Sequence, residues 1–424
     1  MTPRLCHFGR LLLAMVLFTC GLLPSAWAQT CTPAIAAVHA AKELAGGPGR
    51  PTQGWEPVTL PDTWTTRWPG YDGAVWYRLN LAQDCAAARA DPEPLALMVK
   101  SINMAGEVFL NDTLLWRDES LQEPLSRSWN SPRYLILPEA ALHAGDNAVW
   151  IRIQGRALIT PGLGLVMLGA ASEMLAFQQR IWWSHRTIYV INLVASLCIA
   201  ALFFGIWLLY RKQSLYGWFA LLNLAWVVFI YNIVATDPRP FGDTVGVVRA
   251  NTIAFMVFST SYAIFIFEMV WERRLPRWQE RGLQALTLGF SLLVALIPEE
   301  HLEAPMHLSG RIHFLVFGMA CILPLLHALR SRKRADVFYS LIGLGFVFIA
   351  VHDLHAFHLQ LPEPLMLTPY ANLLTMGVIT AVMGSRIAAS MRRTERFNVE
   401  LTAAVTQACR ELETTMGKEH QLAL

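Results

Sequence analysis

The stretch Thr187–Tyr210, TIYVINLVASLCIAALFFGIWLLY, contains no charged side chain. A helix needs about 20 mostly apolar residues to cross the hydrocarbon core of a bilayer, and this run is long enough. Six more apolar runs follow it, and charged residues or Pro separate each from the next. The sequence therefore predicts an all-α bundle of seven membrane-spanning helices within residues 172–390. The predicted spans are Thr187–Tyr210, Ser214–Ala235, Asn251–Trp271, Gly282–Pro298, Met306–Leu329, Val337–Leu359 and Leu365–Ser385.

Basic residues are concentrated at alternate ends of these spans. The segments after the first, third, fifth and seventh spans are rich in Arg and Lys, whereas those after the second, fourth and sixth hold few. Cytosolic loops of membrane proteins carry such an excess. This predicts an exported N-terminal part and a cytosolic C-terminus. The basic residues are Arg211, Lys212, Arg273, Arg274, Arg277, Arg281, Arg330, Arg332, Lys333, Arg334, Arg392, Arg393 and Arg396.

The composition agrees with a membrane protein that also has a soluble part. Of 424 residues, 54% are hydrophobic and 15% are charged, and the apolar excess lies in the second half of the chain. The net charge of +3 is too small to indicate a nucleic-acid partner. The lipid bilayer is the partner that the composition predicts.

Residues 1–28 have the features of a secretory signal peptide. Arg4 and Arg10 precede the apolar run Leu11–Leu23, and Ala26-Trp27-Ala28 forms a small-x-small cleavage site. An uncleaved anchor is the alternative. In both cases the next segment, residues 29–171, lies outside the cytosol.

Cys31 and Cys85 are the cysteines that this topology leaves together in an oxidising compartment. They predict a disulfide that would tie the mature N-terminus to the following sheet. Free thiols stay an alternative, because spacing alone does not fix disulfide geometry. A lipidated Cys31 is a further alternative with a poor sequence match.

Residues 29–171 alternate short strand-like runs with turn signals, a pattern typical of an all-β sandwich. Asn111-Asp112 between two apolar runs predicts a tight hairpin. Ala144–Asn147 predicts another turn. The predicted strands are Ala74–Leu81, Leu95–Ser101, Glu107–Leu110, Thr113–Arg117, Tyr134–Leu137, Ala148–Gln154 and Leu165–Leu168.

Four segments of this region resemble the galactose-binding-like jelly roll. They are WEPVTLPDTW at Trp55–Trp64, GAVWYR at Gly73–Arg78, EVFLN at Glu107–Asn111 and GDNAVWIR at Gly145–Arg152. The glycine usual in the hairpin after Asn is Asp112 here. That fold begins sugar-binding domains of some glycoside hydrolases and occurs in bacterial sensors. The resemblance implies a jelly-roll sandwich and leaves the ligand open.

A candidate ligand surface combines Trp116, Arg127, Trp129, Asn130 and Arg156, because loops on a rigid sandwich often carry binding residues. A carbohydrate is a candidate ligand, since several Trp side chains are available for stacking on sugar rings. Packing in the core is the more common role for any one Trp. No carboxylate pair stands in a context that supports glycoside hydrolysis, so the sequence predicts binding without a catalytic residue. The Trp residues are Trp64, Trp68, Trp76, Trp116, Trp129 and Trp150.

Ionisable residues inside a bilayer are costly and require partners. Arg311 in the fifth predicted span and Asp353 in the sixth lie at similar depths in consecutive antiparallel helices. They predict an intramembrane ion pair, with His352 and His355 beside it. The spacing of these His residues does not match a recognised zinc site, so no metal is predicted.

After Arg386 the sequence continues as a helix former without Pro. Residues 391–424 predict a cytosolic signalling helix, and a four-and-three apolar spacing within it suits pairing across a homodimer. A solvated single helix is the alternative. The stripe consists of Leu401, Val405, Ala408, Leu412 and Met416.

The complete layout is similar to that of bacterial seven-transmembrane receptors with diverse intracellular signalling modules. His352-Asp353-Leu354, Pro369-Tyr370, Arg386 and the stretch Glu395–Leu401 resemble members fused to sensor histidine kinases. The resemblance implies a multi-pass protein of the bacterial inner membrane that is the input half of a two-component system. Its implied partners are a periplasmic ligand and a cytosolic kinase or response regulator. The chain shows no phospho-acceptor motif and no nucleotide-binding glycine box. We therefore expect no catalytic activity and no cofactor.

Two alternatives follow from the same residues. A membrane transporter or enzyme would use the intramembrane Arg311, His352 and Asp353. A carbohydrate-binding module on a membrane anchor would use the Trp-rich surface without signalling.

Overall fold

The computed structural model describes residues 34–422 apart from 45–46, 48, 83–92, 333 and 359–365. An N-terminal β-sheet region, which we call the β region, is followed by a helical region. This order agrees with the prediction. The predicted signal peptide and the predicted Cys31–Cys85 disulfide lie outside the described residues.

The described strands form three antiparallel sheets with the orders β2-β1-β4-β10-β7-β8, β3-β11-β6 and β12-β5-β9. The strands are β1 Ile35–Lys42, β2 Glu56–Pro57, β3 Asp62–Thr63, β4 Gly73–Leu81, β5 Leu95–Val99, β6 Ile102–Asn103, β7 Ala105–Leu110, β8 Thr113–Arg117, β9 Arg133–Ile136, β10 Ala148–Gly155, β11 Gly162–Leu163 and β12 Val166–Ala170.

The three sheets share one apolar core. Tyr77 and Ile151 from the six-stranded sheet pack in the same cluster as Leu97 and Leu163 from the two smaller sheets. Alternate residues of a strand point to opposite faces, and one face each of β4 and β10 lines this core. The residues on these two faces are Val75, Tyr77, Leu79, Val149, Ile151 and Ile153. Trp64 is fully buried in the cluster, which is the packing role expected for a Trp of this region.

The sequence prediction missed β1. Its sequence, IAAVHAAK, is rich in Ala, which favours helix over strand. Pairing with β4 along most of its length overrides that preference. The predicted hairpin is confirmed, because Asn111 joins β7 to β8 with a left-handed φ of 50°, a conformation that Asn tolerates.

The loop between β8 and β9 is built on the buried carboxylate of Asp118. That carboxylate accepts hydrogen bonds from Gly106 N at 2.9 Å and from the Ser128 hydroxyl, and it faces Arg133 at 3.5 Å. The Trp116 ring covers the Arg133 guanidinium, whose Cζ lies 4.2 Å from the ring centroid. These contacts fix the path of a loop that leaves the β region and reaches the helices.

The helical region begins directly at the end of β12. A π-helical segment, Trp183–Thr187, connects α1 to α2 within one continuous helix. The helices are α1 Ala171–Trp182, α2 Ile188–Leu209, α3 Ser214–Val234, α4 Thr244–Trp271, α5 Arg277–Leu296, α6 Glu303–Ser331, α7 Arg334–His358 and α8 Thr368–Leu422.

Among the described residues, six helices are long and apolar enough to cross a membrane, where the sequence analysis predicted seven. The fourth predicted span, Gly282–Pro298, falls in α5, which is not one of the six. Its first two turns carry Arg277, Glu280 and Arg281, and these lower the mean hydropathy of the helix. The six are Ala171–Leu209, Ser214–Val234, Thr244–Trp271, Glu303–Ser331, Asp336–Asp353 and Thr368–Leu412.

Helix α5 nevertheless lies antiparallel along α4. Near the start of α4, the Arg249 guanidinium donates to the carbonyls of Ala295 and Ile297 at the end of α5. Farther along α4, Thr260 Oγ1 lies 2.6 Å from Thr287 Oγ1 of α5. The 20 residues of α5 extend about 30 Å at 1.5 Å per residue, close to the thickness of a hydrocarbon core.

The last predicted span and the predicted cytosolic helix are one element. Helix α8 runs for 55 residues without a break, so the predicted boundary at residue 390 is not a break in the helix. The side chains of residues 391–412 are exposed, including Leu401, Val405 and Leu412 of the predicted pairing stripe.

We expect Asp118→Asn to destabilise the full-length protein, because it leaves the buried Arg133 charge without its counter-ion. Removing one partner of a buried ion pair costs about 3–5 kcal/mol. Thermal unfolding followed by Trp fluorescence measures the loss. The matched control is Asp112→Asn, whose carboxylate is 91% exposed in its pair with Arg50 and whose loss should cost less than about 0.5 kcal/mol. Equal effects of the two substitutions would contradict the role given to Asp118.

Candidate functional site

The β region contacts the N-terminal end of α4 and the loops on that side of the bundle through a group of polar side chains that we call the junction. Three of the five residues predicted to bind ligand lie in it. The junction residues of the β region are Asp72, Glu123, Arg127, Asn130 and Arg156, and those of the helical region are His185, Asn232, Thr236, Thr244 and Glu299.

The loop between β8 and β9 supplies the first set of junction contacts. Arg127 N donates to Thr236 O at 2.7 Å, and its guanidinium donates to the side-chain oxygen of Asn232. The side-chain amide of Asn130 donates to His185 O. Since Arg127 is 3% exposed and Asn130 is 7% exposed, both side chains are interior contacts between the two regions.

Glu123 connects the same loop to the start of α4. Its Oε2 accepts from Thr244 Oγ1 at 3.0 Å and lies 3.4 Å from Thr244 N. The first N–H groups of a helix lack partners inside the helix, and the helix dipole favours negative charge there. A carboxylate of the β region is thus held at the positive end of a helix.

Arg156 is the centre of the second set of contacts. Its guanidinium forms an ion pair with Glu299 of the loop between α5 and α6, and it faces Glu123 at 3.3 Å and Asp72 at 3.6 Å. Asp72 also accepts from Ala157 N at 2.6 Å, which fixes the turn after β10. One arginine therefore bridges carboxylates from both regions.

An apolar contact lies next to these charges. Leu158, in the turn after Arg156, packs against the cluster formed by Val245 of α4, Val294 of α5 and Leu302. This contact removes apolar surface of both regions from water, which adds a non-directional term to the ionic contacts.

The two junction arginines differ in their electrostatic surroundings. Burial lowers the pKa of Arg127 to about 10, and the charge of Glu123 offsets part of that effect. For Arg156, burial acts in the same direction, but Glu299, Glu123 and Asp72 outweigh it and raise the pKa above its ordinary value. Both guanidinium groups are charged at neutral pH. Three carboxylates act on Arg156, whereas in the described part of the chain only Glu123 acts on Arg127.

A cleft of about 960 Å³ opens beside Arg156 between the two regions. Its walls carry Asp72 and Leu158 from the β region and Glu299, Glu300 and Glu303 from the helical region. Carboxylates accept hydrogen bonds and attract positive charge. A molecule bound in the cleft would contact Asp72 and Glu299, which are also junction residues.

The remaining residues of the predicted ligand surface lie close to the junction. Trp116 is half-buried against Arg133, and Trp129 is half-buried in the short 3-10 turn Ser128–Asn130. The structure thus gathers the five residues around one loop and the turn after β10. Arg127, Asn130 and Arg156 face the helices rather than open solvent, and ligand binding by the five residues stays a prediction.

The structure does not form the predicted Arg311–Asp353 pair. Asp353 instead accepts from Leu367 N at 2.9 Å and Thr368 N at 2.7 Å, so it caps the start of α8, and His352 Nδ1 lies 2.9 Å from it. The N–H groups at the start of α8 have no partner within the helix, so they bind the Asp353 carboxylate in place of Arg311. Arg311 is exposed on α6, and His355 is exposed on α7.

Sequence reasoning missed seven of the ten junction residues. Glu123, Glu299 and Asn232 become site residues only through contacts that span 33 to 143 positions in the chain. Short-range patterns carry no information about such pairings. In the described part of the chain, no group of three or more His, Cys, Asp or Glu is placed to hold a metal ion.

No protein-family model matches the chain. No curated protein matches it either. Solved structures with partial likeness include a family 2 glycosyl hydrolase of Bacteroides cellulosilyticus, at 16% identity over 32% of this chain and 20% of that chain, with a TM-score of 0.25.

Two further solved structures show a likeness of similar extent. The β-glucuronidase of Faecalibacterium prausnitzii has 17% identity, a TM-score of 0.23 and coverage of 30% of this chain and 22% of its own. A family 2 β-galacturonidase of Eisenbergiella tayi has 12% identity, a TM-score of 0.23 and coverage of 33% and 25%. The matched part spans a quarter or less of these enzymes, and none of these values assigns the chain to a family.

We expect Arg156→Gln to loosen the junction, because Glu299, Glu123 and Asp72 lose their shared cation. Partly exposed ion pairs contribute up to about 1 kcal/mol, which corresponds to about fivefold faster local opening. Hydrogen exchange of residues 118–132 in the full-length protein measures this opening. The matched control is Arg239→Gln, an exposed arginine on the same side of the bundle that pairs only with Asp237. Faster exchange in the control but not in Arg156→Gln would contradict the assignment.

Proposed function

We propose that the protein is a transmembrane sensory receptor, the input half of a two-component type of signalling system. The β region receives a periplasmic ligand, the junction passes the change to the helices, and α8 carries it into the cytosol. The observation that carries the proposal is the continuity of this path. The β region is bonded to the bundle at several helix ends and loops, and α8, a single helix of 55 residues, continues from the bundle into its exposed part.

We propose that α5 is the seventh membrane crossing, in addition to the six apolar helices. Its antiparallel contacts with α4 and its length of about 30 Å support this, as does the apolar run of its second half. Seven crossings place the β region and α8's tail on opposite sides of an inner membrane. The Arg and Lys distribution of the sequence supports a periplasmic β region and a cytosolic tail.

The β region is proposed to be a galactose-binding-like jelly roll, a fold compatible with two or more antiparallel sheets around one core. A carbohydrate is the ligand class suggested by the sequence resemblance. The cleft beside Arg156 supports a ligand site at the junction, because a ligand there contacts both regions at once. A ligand that binds one arrangement of the junction better than another shifts the population between them.

The exposed part of α8 is proposed to pair with α8 of a second copy. Leu401, Val405 and Leu412 are more than half exposed and recur at four and seven residues, the spacing of a coiled-coil seam. A cytosolic kinase or response regulator is the proposed output partner. No catalytic step is assigned to this chain.

The test joins a histidine-kinase output module in frame after Leu424 and measures phosphorylation of its response regulator. We expect Arg156→Gln and Glu299→Gln each to change output by about fivefold or more, since coupling energies of 1–3 kcal/mol are typical of such transmission. Arg239→Gln is the matched control and should leave the output unchanged. Identical output from all variants would contradict the receptor proposal.

A further inference from the structure

One fully buried polar contact joins the helix that follows the β region to α8. Asn192 of α2 donates from Nδ2 to Pro369 O at 2.6 Å, and its Oδ1 accepts from Asn372 Nδ2 at 2.8 Å. The same oxygen accepts from Trp226 Nε1 of α3 at 2.9 Å. We call these three side chains, Asn192, Trp226 and Asn372, the asparagine node.

The node is closed to solvent. Asn192 and Asn372 are 0% exposed, and Trp226 is 5% exposed and packs against Phe229 and Phe258. A polar group in such surroundings keeps its hydrogen bonds, because an unpaired amide there is costly. The node therefore specifies one arrangement of α2, α3 and α8.

The node lies on a continuous path from the β region to α8. Strand β12 ends at Ala170, and the helix that begins at Ala171 continues without interruption past Asn192 to Leu209. A displacement of β12 can therefore reach Asn192 along one continuous helix, which includes the π-helical segment Trp183–Thr187. At the node it meets the first turn of α8, whose N–H groups are held by Asp353.

A second contact holds α8 near the other end of the bundle. Arg386 Nη2 lies 3.3 Å from Met269 O of α4 and 3.4 Å from Tyr339 Oη of α7. Beyond Arg386 the side chains of α8 are mostly exposed. The node and Arg386 hold α8 at two points along its length. A shift of α8 at the node therefore changes the direction in which the part beyond Arg386 extends.

We infer that Asn192 is the coupling residue through which movement of the helix after β12 reaches α8. The inference rests on the proposed function in treating α8 as the output helix. The contact itself can be tested without a ligand and without an output module.

The experiment measures a distance by electron paramagnetic resonance in the full-length protein in lipid nanodiscs. One spin label is on the native Cys409 of α8, and the other is on Gln213→Cys in the turn between α2 and α3, with the remaining cysteines replaced. Both positions are exposed. We expect Asn192→Leu to shift or broaden the distance distribution, because α8 loses its hydrogen bonds to α2.

The matched control is Asn223→Leu. Asn223 is also 0% exposed in the bundle, but among the described residues its amide donates only to Phe219 O within its own helix. Its replacement should leave the distribution of the unsubstituted protein unchanged. Superimposable distributions for Asn192→Leu, Asn223→Leu and the parent would overturn the inference.

Two further variants keep the test decisive if Asn192→Leu does not fold. Asn372→Leu removes one partner of the node, and Trp226→Phe removes another donor while keeping an aromatic ring. Each should shift the distribution by less than the loss of Asn192, and an unchanged distribution in both would overturn the inference. If the junction variants do not change kinase output, the proposed function is wrong. A shift measured for Asn192→Leu would still support the coupling of α2 to α8.

Discussion

The hydrocarbon core of a bilayer leaves backbone N–H and C=O groups no water to bond, so a chain crosses it as helices whose backbone is satisfied internally. Six long apolar helices of the helical region meet this constraint, and the less apolar α5 is the proposed seventh crossing. The same constraint makes each polar side chain inside the bundle informative. Asn192, Thr260 and Thr287 all bond across helices, and these bonds determine which helices stay together.

The junction attaches the β region to the apolar helical region. Its contacts use charge at the aqueous surface, where Glu123 meets the start of α4 and Arg156 meets Glu299. Partly exposed ion pairs are individually weak. A set of weak contacts beside an open cleft is more easily rearranged than the buried node. The proposed receptor function requires this difference, because the ligand site must change while the contact between the helices is kept.

Much of the architecture follows from local patterns. Apolar run length located the helices, and period-two patterning with turn residues located most strands, including the Asn111 hairpin. The failures have physical causes. The Ala-rich β1 is a strand because β4 pairs with it, and Asp353 turns to the N–H groups of α8 instead of Arg311. The sequence predicts Arg127, Asn130 and Arg156 as part of a ligand surface. In the folded chain these three side chains contact the helical region instead of open solvent.

The receptor proposal requires that the β region and the end of α8 lie on opposite sides of one membrane. The most direct measurement labels Cys409, as the sole cysteine of the full-length chain, with a membrane-impermeant thiol reagent in intact spheroplasts, beside a second variant whose sole cysteine replaces the exposed Asp112. We expect the cysteine at position 112 to be labelled at once and Cys409 only after permeabilisation. Labelling of both from the same side would contradict it.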